Sequence, residues 1–189
     1  MNTPAHLIVG AAAFGKPDIR WTLPAATAGA FAPDLSLYAM TAYSIWVASV
    51  PPEVVFGQYY YSDEWQSVFA VDNSFIFWGL ALAVAIWRKM PILLAFSGAG
   101  FLHLLFDFPL HTHDVRMHFW PVTDWVFVSS FSYWDSTAYA GVVGPAALLL
   151  TLALAVLLFR RFKTVVARGW FALLAALELA SSGIWRVFF

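Results

Sequence analysis

Long apolar runs separated by short charged turns set the pattern of this chain, and their lengths predict helices that cross a bilayer. A short apolar segment comes first. Asn2 or Thr3 can cap it, Pro4 suits the first helical position, and Gly15 and Pro17 end it. Residues 1–15 lack the basic start of a secretory signal peptide and are too short to span alone, so a structural N-terminal helix is expected. After a polar turn from Lys16 to Arg20, residues 22–48 are long enough to cross, with Pro33-Asp34 interrupting them near mid-depth. Further spans are predicted over 74–87, 91–107, 139–159 and 169–187. Residues 49–72 and 108–138 read as outer loops with short interfacial helices. No internal repeat, low-complexity tract or alternating β pattern is present. The expected fold is an all-α integral membrane protein, one domain over 1–189 with about five transmembrane helices and a short N-terminal helix.

Composition agrees. Hydrophobic residues make up 61% and charged residues only 11% of the chain, against about a quarter charged in a soluble domain. A net charge of −1 offers no basic surface for nucleic acid. With no cysteine there is no disulfide, thiolate nucleophile or cysteine-ligated zinc, so any metal must be held by imidazole and carboxylate. Charge also orients the spans. Lys16 and Arg20, Arg88 and Lys89, then Arg160, Arg161, Lys163 and Arg168 fall on one side if each span crosses once. The positive-inside rule makes that side cytoplasmic, so 49–72 and 108–138 face outward.

The stretch from His103 to Tyr139 holds four of the five histidines and four of the eleven acidic residues, mixed with tryptophans. That mixture suits a site better than a solvated linker. Counting helical rise from the cytoplasmic turns places His6, Asp34, Asn73 and His103 at roughly 15–22 Å, one layer in the outer half of the bilayer. Asp107 follows His103 at i+4, on the same helix face. Ionisable groups at that depth face a partner or a wet cavity. A His–Asp pair at this spacing can bind metal from one helix face, or can simply satisfy two buried groups; His6 and Asp34 at the same level favour metal. His111, His113, Asp114 and His118, beyond Pro109, can close the site or carry protons, or else lie in an interfacial segment. Asp124 and Asp135, each beside a tryptophan, read as helix caps. The outer aromatics (Tyr59, Tyr60, Tyr61 and Trp134 among them) read as an interfacial belt, with a groove for a lipid-like substrate as the alternative. Glu178, inside the last span, needs a partner that the sequence does not name.

Four pieces, PAHLIVGAAAFG, AGAFAPDLSLY, VDNSFIFWGL and HLLFD, resemble the small bacterial membrane-bound metal-dependent hydrolases described as LexA-regulated, a family with a distant likeness to zinc-dependent phospholipase C. The likeness covers roughly the first 110 residues. It implies a multi-pass protein of the bacterial inner membrane, with the histidine-rich loop periplasmic, and metal ligands at His6, Asp34, His103 and Asp107. The chain departs from that pattern at one place: Asn73 stands where the family has a histidine before Ser74. Asp72 can substitute, or His111, His113 or His118 can fill the gap, or the site has decayed.

These observations lead to an expected function: a membrane-embedded hydrolase acting near the outer leaflet, with a divalent metal, zinc by its imidazole ligands. Asp72, His111 and His113 are the candidate catalytic proton carriers, and a lipid phosphoester is the expected substrate by analogy. The alternative is a non-enzymatic accessory or assembly subunit of a larger membrane complex, its polar layer serving packing. A third reading has His6 or His103 ligating a haem or chlorin.

Overall fold

The computed structural model describes the backbone of residues 1–188 and the side chains of residues 1–182. Helices α1 (Thr3–Phe14), α2 (Thr22–Ala42), α3 (Pro52–Gly57), α4 (Asp63–Asp72), α5 (Phe75–Trp87), α6 (Pro91–Asp107), α7 (Ala140–Arg161) and α8 (Val165–Phe188) follow in chain order, with no strand among the described residues. Local chemistry starts several of them. Prolines occupy the first turns of α1, α3 and α6, where no intrahelical N–H is needed. Ser62 caps α4, and Ser74 Oγ accepts the Ile76 and Phe77 N–H groups at the start of α5.

Among the described residues, four segments are long and apolar enough to cross a membrane: Asp63–Trp87, Pro91–Leu110, Ala140–Arg161 and Val165–Ser182. Two sequence expectations change. The region 22–48 is helical through α2 and a π-helical turn at Tyr43–Val47, but its Ala, Thr, Gly, Pro and Asp content leaves it less apolar than the others, and it is not among the four. The predicted outer loop 49–72 is also largely helical, and α4 runs into α5 with only Asn73 and Ser74 between them. The end of the expected 169–187 span lies, for its side chains, outside the described residues.

Helix α1 is the centre of the assembly. Its residues from Ala5 to Ala11 are all buried, and α2, α6, α7 and α8 pack around it. A helix apolar on every face is stable only when enclosed in this way. Small residues permit the close approach: a Cβ on Gly29 would lie 1.9 Å from the Phe96 carbonyl oxygen, so α2 and α6 touch backbone to backbone there. Likewise, a Cβ on Gly100 of α6 would lie 2.1 Å from the Trp78 ring of α5. Ala26, Ala30, Ala95 and Ala99 continue this seam, with Phe162, Phe171 and Leu174 closing the core from the α7–α8 hairpin. Away from the core, Leu149, Val156 and Leu173 are exposed, the apolar surface a bilayer covers. The 108–138 segment is tied down by Ser74, whose hydroxyl donates to the Trp120 carbonyl at 2.5 Å, and by the Phe75 N–H, which donates to the His118 carbonyl at 2.8 Å.

Candidate metal centre

The tight α2–α6 seam fixes His103. Pro33 lacks an N–H and so loosens the α2 ladder by one hydrogen bond. In the adjacent turn the Ala30 carbonyl accepts the His103 Nδ1–H at 2.7 Å. A carbonyl can only accept, so this bond commits the Nδ1 proton, and Nε2 is a lone pair in the neutral ring or an N–H in the imidazolium. That Nε2 is buried and has no well-aligned hydrogen bond. It faces two carboxylates, Asp107 Oδ2 at 3.2 Å and Asp34 Oδ1 at 3.7 Å. A lone pair there would be repelled by two anions, so either a proton on Nε2 or a metal cation must lie between them.

His6 comes from the enclosed α1. Its ring stacks on His103 with centroids 3.7 Å apart and planes inclined by 14°. Its Nε2 lies 2.8 Å from Asp107 Oδ1, while the buried Nδ1 has no hydrogen-bond partner. Asp107 is the hub: the Met1 amine reaches Oδ1 at 2.5 Å, and His111 Nε2 lies 3.2 Å from Oδ2. One donor atom from each of His6, His103 and Asp107 falls within a 4.8 Å group. Two ligand atoms on a tetrahedral zinc stand about 3.4 Å apart, from bond lengths of about 2.1 Å. His103 Nε2 lies 3.2 Å from Asp107 Oδ2, close to that spacing, and His6 Nε2 lies 2.8 Å from Oδ1, a tighter, hydrogen-bonded separation. The backbone carbonyl on the second nitrogen of His103 is also the support a metal-bound imidazole commonly has. The donor set therefore fits a divalent ion of the N/O-binding class.

The other expected residues are placed as follows. Asp34 flanks the trio, its Oδ2 accepting the Thr3 hydroxyl at 2.5 Å, and Thr3 in turn meets the Tyr38 hydroxyl at 2.9 Å. His111 bridges Asp107 to Asp114, with Nδ1 2.7 Å from Asp114 Oδ2. Burial draws its pKa down, but Asp107 and Asp114 outweigh this and raise it to about 9. Burial likewise pushes Asp114 up, yet the His111 contact holds it below the ordinary carboxylate range. His113 is turned to solvent, 3.3 Å from Asp135 Oδ2. Asp135 does cap a turn, Oδ1 accepting the Thr137 N–H at 2.8 Å. Asp72 ends α4, its backbone carbonyl accepting the Trp78 Nε1–H at 2.7 Å; neither it nor His113 is in the trio. Asn73 does not reach the cluster as a ligand: its amide donates to the Pro33 and Phe69 carbonyls, joining α4 to α2. His118 packs between Phe75 and Phe108, and burial lowers its pKa to about 4.

A cavity of about 1020 Å³ opens beside the cluster, lined by the polar Asp34, Asp107, His111 and Arg116 and by apolar residues such as Leu37 and Phe56. Sequence reasoning passed over Thr3, Tyr38 and Arg116. The signal for Arg116 was available, since it is the lone Lys or Arg in 49–72 and 108–138, the two segments predicted to face outward. Glu178 finds the partner that the sequence left unnamed: Asn2 Nδ2 donates to its Oε1 at 3.0 Å. Comparison with known proteins gave no match to a family model, a curated protein or a solved structure.

Proposed function

We propose that this chain is a membrane-embedded metal-dependent hydrolase whose site opens toward the outer leaflet and takes an amphiphilic ester, a lipid phosphoester being the expectation from the family resemblance. The observation that carries the reading is the orphaned Nε2 of His103, aimed at two carboxylates and stacked on a second imidazole. His6, His103 and Asp107 would hold the ion, with Asp34 alongside. A divalent ion bound there supplies a more acidic water and polarises an ester oxygen. The chain supplies the rest. The Ala30 carbonyl orients His103, and Asp107 is held between α1 and the start of the outer segment. His111, bridging Asp107 and Asp114 at the cavity wall, is placed to carry a proton to a departing group. The apolar wall around Leu37 and Phe56 excludes water from the non-reacting part of the substrate.

Elemental analysis of protein purified without chelators tests this. A divalent metal in wild type, lost in His103→Ala and Asp107→Asn, is the expected result; metal-free wild type under those conditions overturns it.

One observation favours a second reading. Asp107 already receives the Met1 amine, His6, His103 and His111, a closed ion-pair network that needs no metal. Such a network suits an accessory subunit of a membrane complex, and a stoichiometric co-purifying partner that persists in His103→Ala would support it.

A further inference from the structure

We infer that Arg116 is the seat of a phosphate group, the anionic head of the ligand that fills the outer cavity; this rests on the hydrolase reading for its role but not for its binding. Arg116 is 8% exposed, and among the described residues no carboxylate oxygen lies within 4.0 Å of its guanidinium. A charge that deep is normally paired. Asp114 is the nearest opportunity in sequence, yet it gives Arg116 its backbone carbonyl, at 3.3 Å, while its carboxylate is engaged by His111. The remaining support is neutral: the Tyr60 hydroxyl accepts from Nη2 at 2.6 Å, and the guanidinium carbon lies 4.8 and 4.4 Å from the Tyr60 and Phe69 ring centroids.

This arrangement positions a planar cation without neutralising it. The rings fix the plane of the fork, Nη2 is anchored on Tyr60 and Nη1 on the Asp114 carbonyl, and the remaining N–H groups are left for an anion in the cavity that Arg116 lines. Guanidinium geometry matches phosphate oxygens two at a time. Tyr60 adds to this: burial raises its pKa to about 12, so its hydroxyl keeps a proton to donate. Arg116, His111 and Asp107 all line the same cavity, so an anion on Arg116 lies in one chamber with Asp107, the member of the trio that reaches it. The apolar residues that share this lining, Leu37 and Phe56 among them, suit the chains of a phosphate-bearing lipid; free phosphate offers the same head without them.

The test is binding to purified, chelator-treated protein in detergent, followed by tryptophan fluorescence, with three probes: inorganic phosphate, dihexanoyl phosphatidic acid and dihexanoylglycerol. Binding of the phosphatidic acid at least tenfold tighter than of dihexanoylglycerol is expected, and Arg116→Lys should weaken it by tenfold or more through loss of the bidentate fork. Inorganic phosphate binding as tightly as the phosphatidic acid assigns the seat to free phosphate; its failure to bind assigns it to a lipid headgroup. Arg116→Lys must keep the wild-type elution volume and thermal unfolding midpoint, and Tyr60→Phe, which removes only the hydroxyl, should weaken the phosphatidic acid by a smaller factor. Equal affinity for the phosphatidic acid and dihexanoylglycerol, or unchanged affinity in folded Arg116→Lys, overturns the assignment. Because metal is absent throughout, failure of the metal reading leaves this result standing.

Discussion

Replacing His103 with alanine separates the metal reading from simple packing, because the two predict different responses to zinc. In wild type, zinc at a hundredfold over its dissociation constant would stabilise the folded state by about 2.7 kcal/mol. For a chain of this size each kcal/mol moves Tm by roughly 2–4 °C, so the expected rise is roughly 5–11 °C. His103→Ala removes one of the three converging donors and should abolish the rise. It also leaves the Ala30 carbonyl without its donor, which costs about 1–3 kcal/mol before any metal is added. The variant should therefore start lower and stay flat. His113→Ala is the control: its ring is exposed and outside the trio, so both the starting Tm and the zinc response should match wild type. The assay is thermal unfolding in detergent, with chelator or with added zinc. A zinc-induced rise in His103→Ala equal to that of wild type would refute the assignment.

Two further outcomes follow from packing and titration. Gly29→Ala drives a Cβ into the Phe96 carbonyl, so α2 and α6 must separate; a loss of about 1–3 kcal/mol is expected, along with a weaker zinc response as Ala30 moves from His103. Gly57→Ala, with no atom within 4 Å of the added carbon, should sit near wild type; a Gly29→Ala protein as stable as that control would contradict the seam. His118 binds its proton more weakly folded, at about 4, than its ordinary 6.5, so its contribution is full above pH 6.5 and lost as pH falls toward 4. That difference amounts to at most about 3 kcal/mol, and His118→Gln should flatten the acid limb of the stability profile; an unchanged slope would show that other groups set it.

What the sequence made legible, and what it hid, divides along one physical line. Depth along a helix can be counted, so the sequence assigns His6, Asp34, Asn73 and His103 to one layer, with Asp107 one turn above His103. Direction around a helix could be reasoned only for the i,i+4 pair His103 and Asp107. The enclosure of α1 was out of reach, because a short apolar helix reads the same whether it lies on a membrane or inside a bundle; Gly29 and the alanine seam decide that, and they carry no polar signal. Asn73 shared the right depth but bonds to the Pro33 and Phe69 carbonyls, which spacing cannot reveal. The span at 22–48 was judged by length, whereas its small residues make it a packing surface for α1 and α6. Arg116 was hidden because its rings come from Tyr60 and Phe69, far away in the chain.

A proton and a divalent ion are the two means of reconciling His103 with its acids, and Asp34 tells them apart. A proton on His103 Nε2 can serve Asp107 at 3.2 Å, but Asp34 at 3.7 Å is beyond a good hydrogen bond. Under the proton reading, Asp34 pairs with a cationic ring at 3.7 Å and accepts the Thr3 hydroxyl, so losing its charge costs stability without metal; under the metal reading that charge is unbalanced until the ion binds. An ion of charge +2 near the same nitrogen offsets both carboxylates. Asp34→Asn, which preserves shape and an acceptor for Thr3, should therefore leave the metal-free protein no less stable. In zinc it should weaken affinity by roughly 10–100-fold, the loss typical of a residue supporting a metal site. Asp107→Asn removes the hub of the buried network and should cost about 3–5 kcal/mol in either condition. If Asp34→Asn instead lowers the metal-free Tm as much as Asp107→Asn while leaving zinc affinity untouched, ion pairing alone built this pocket.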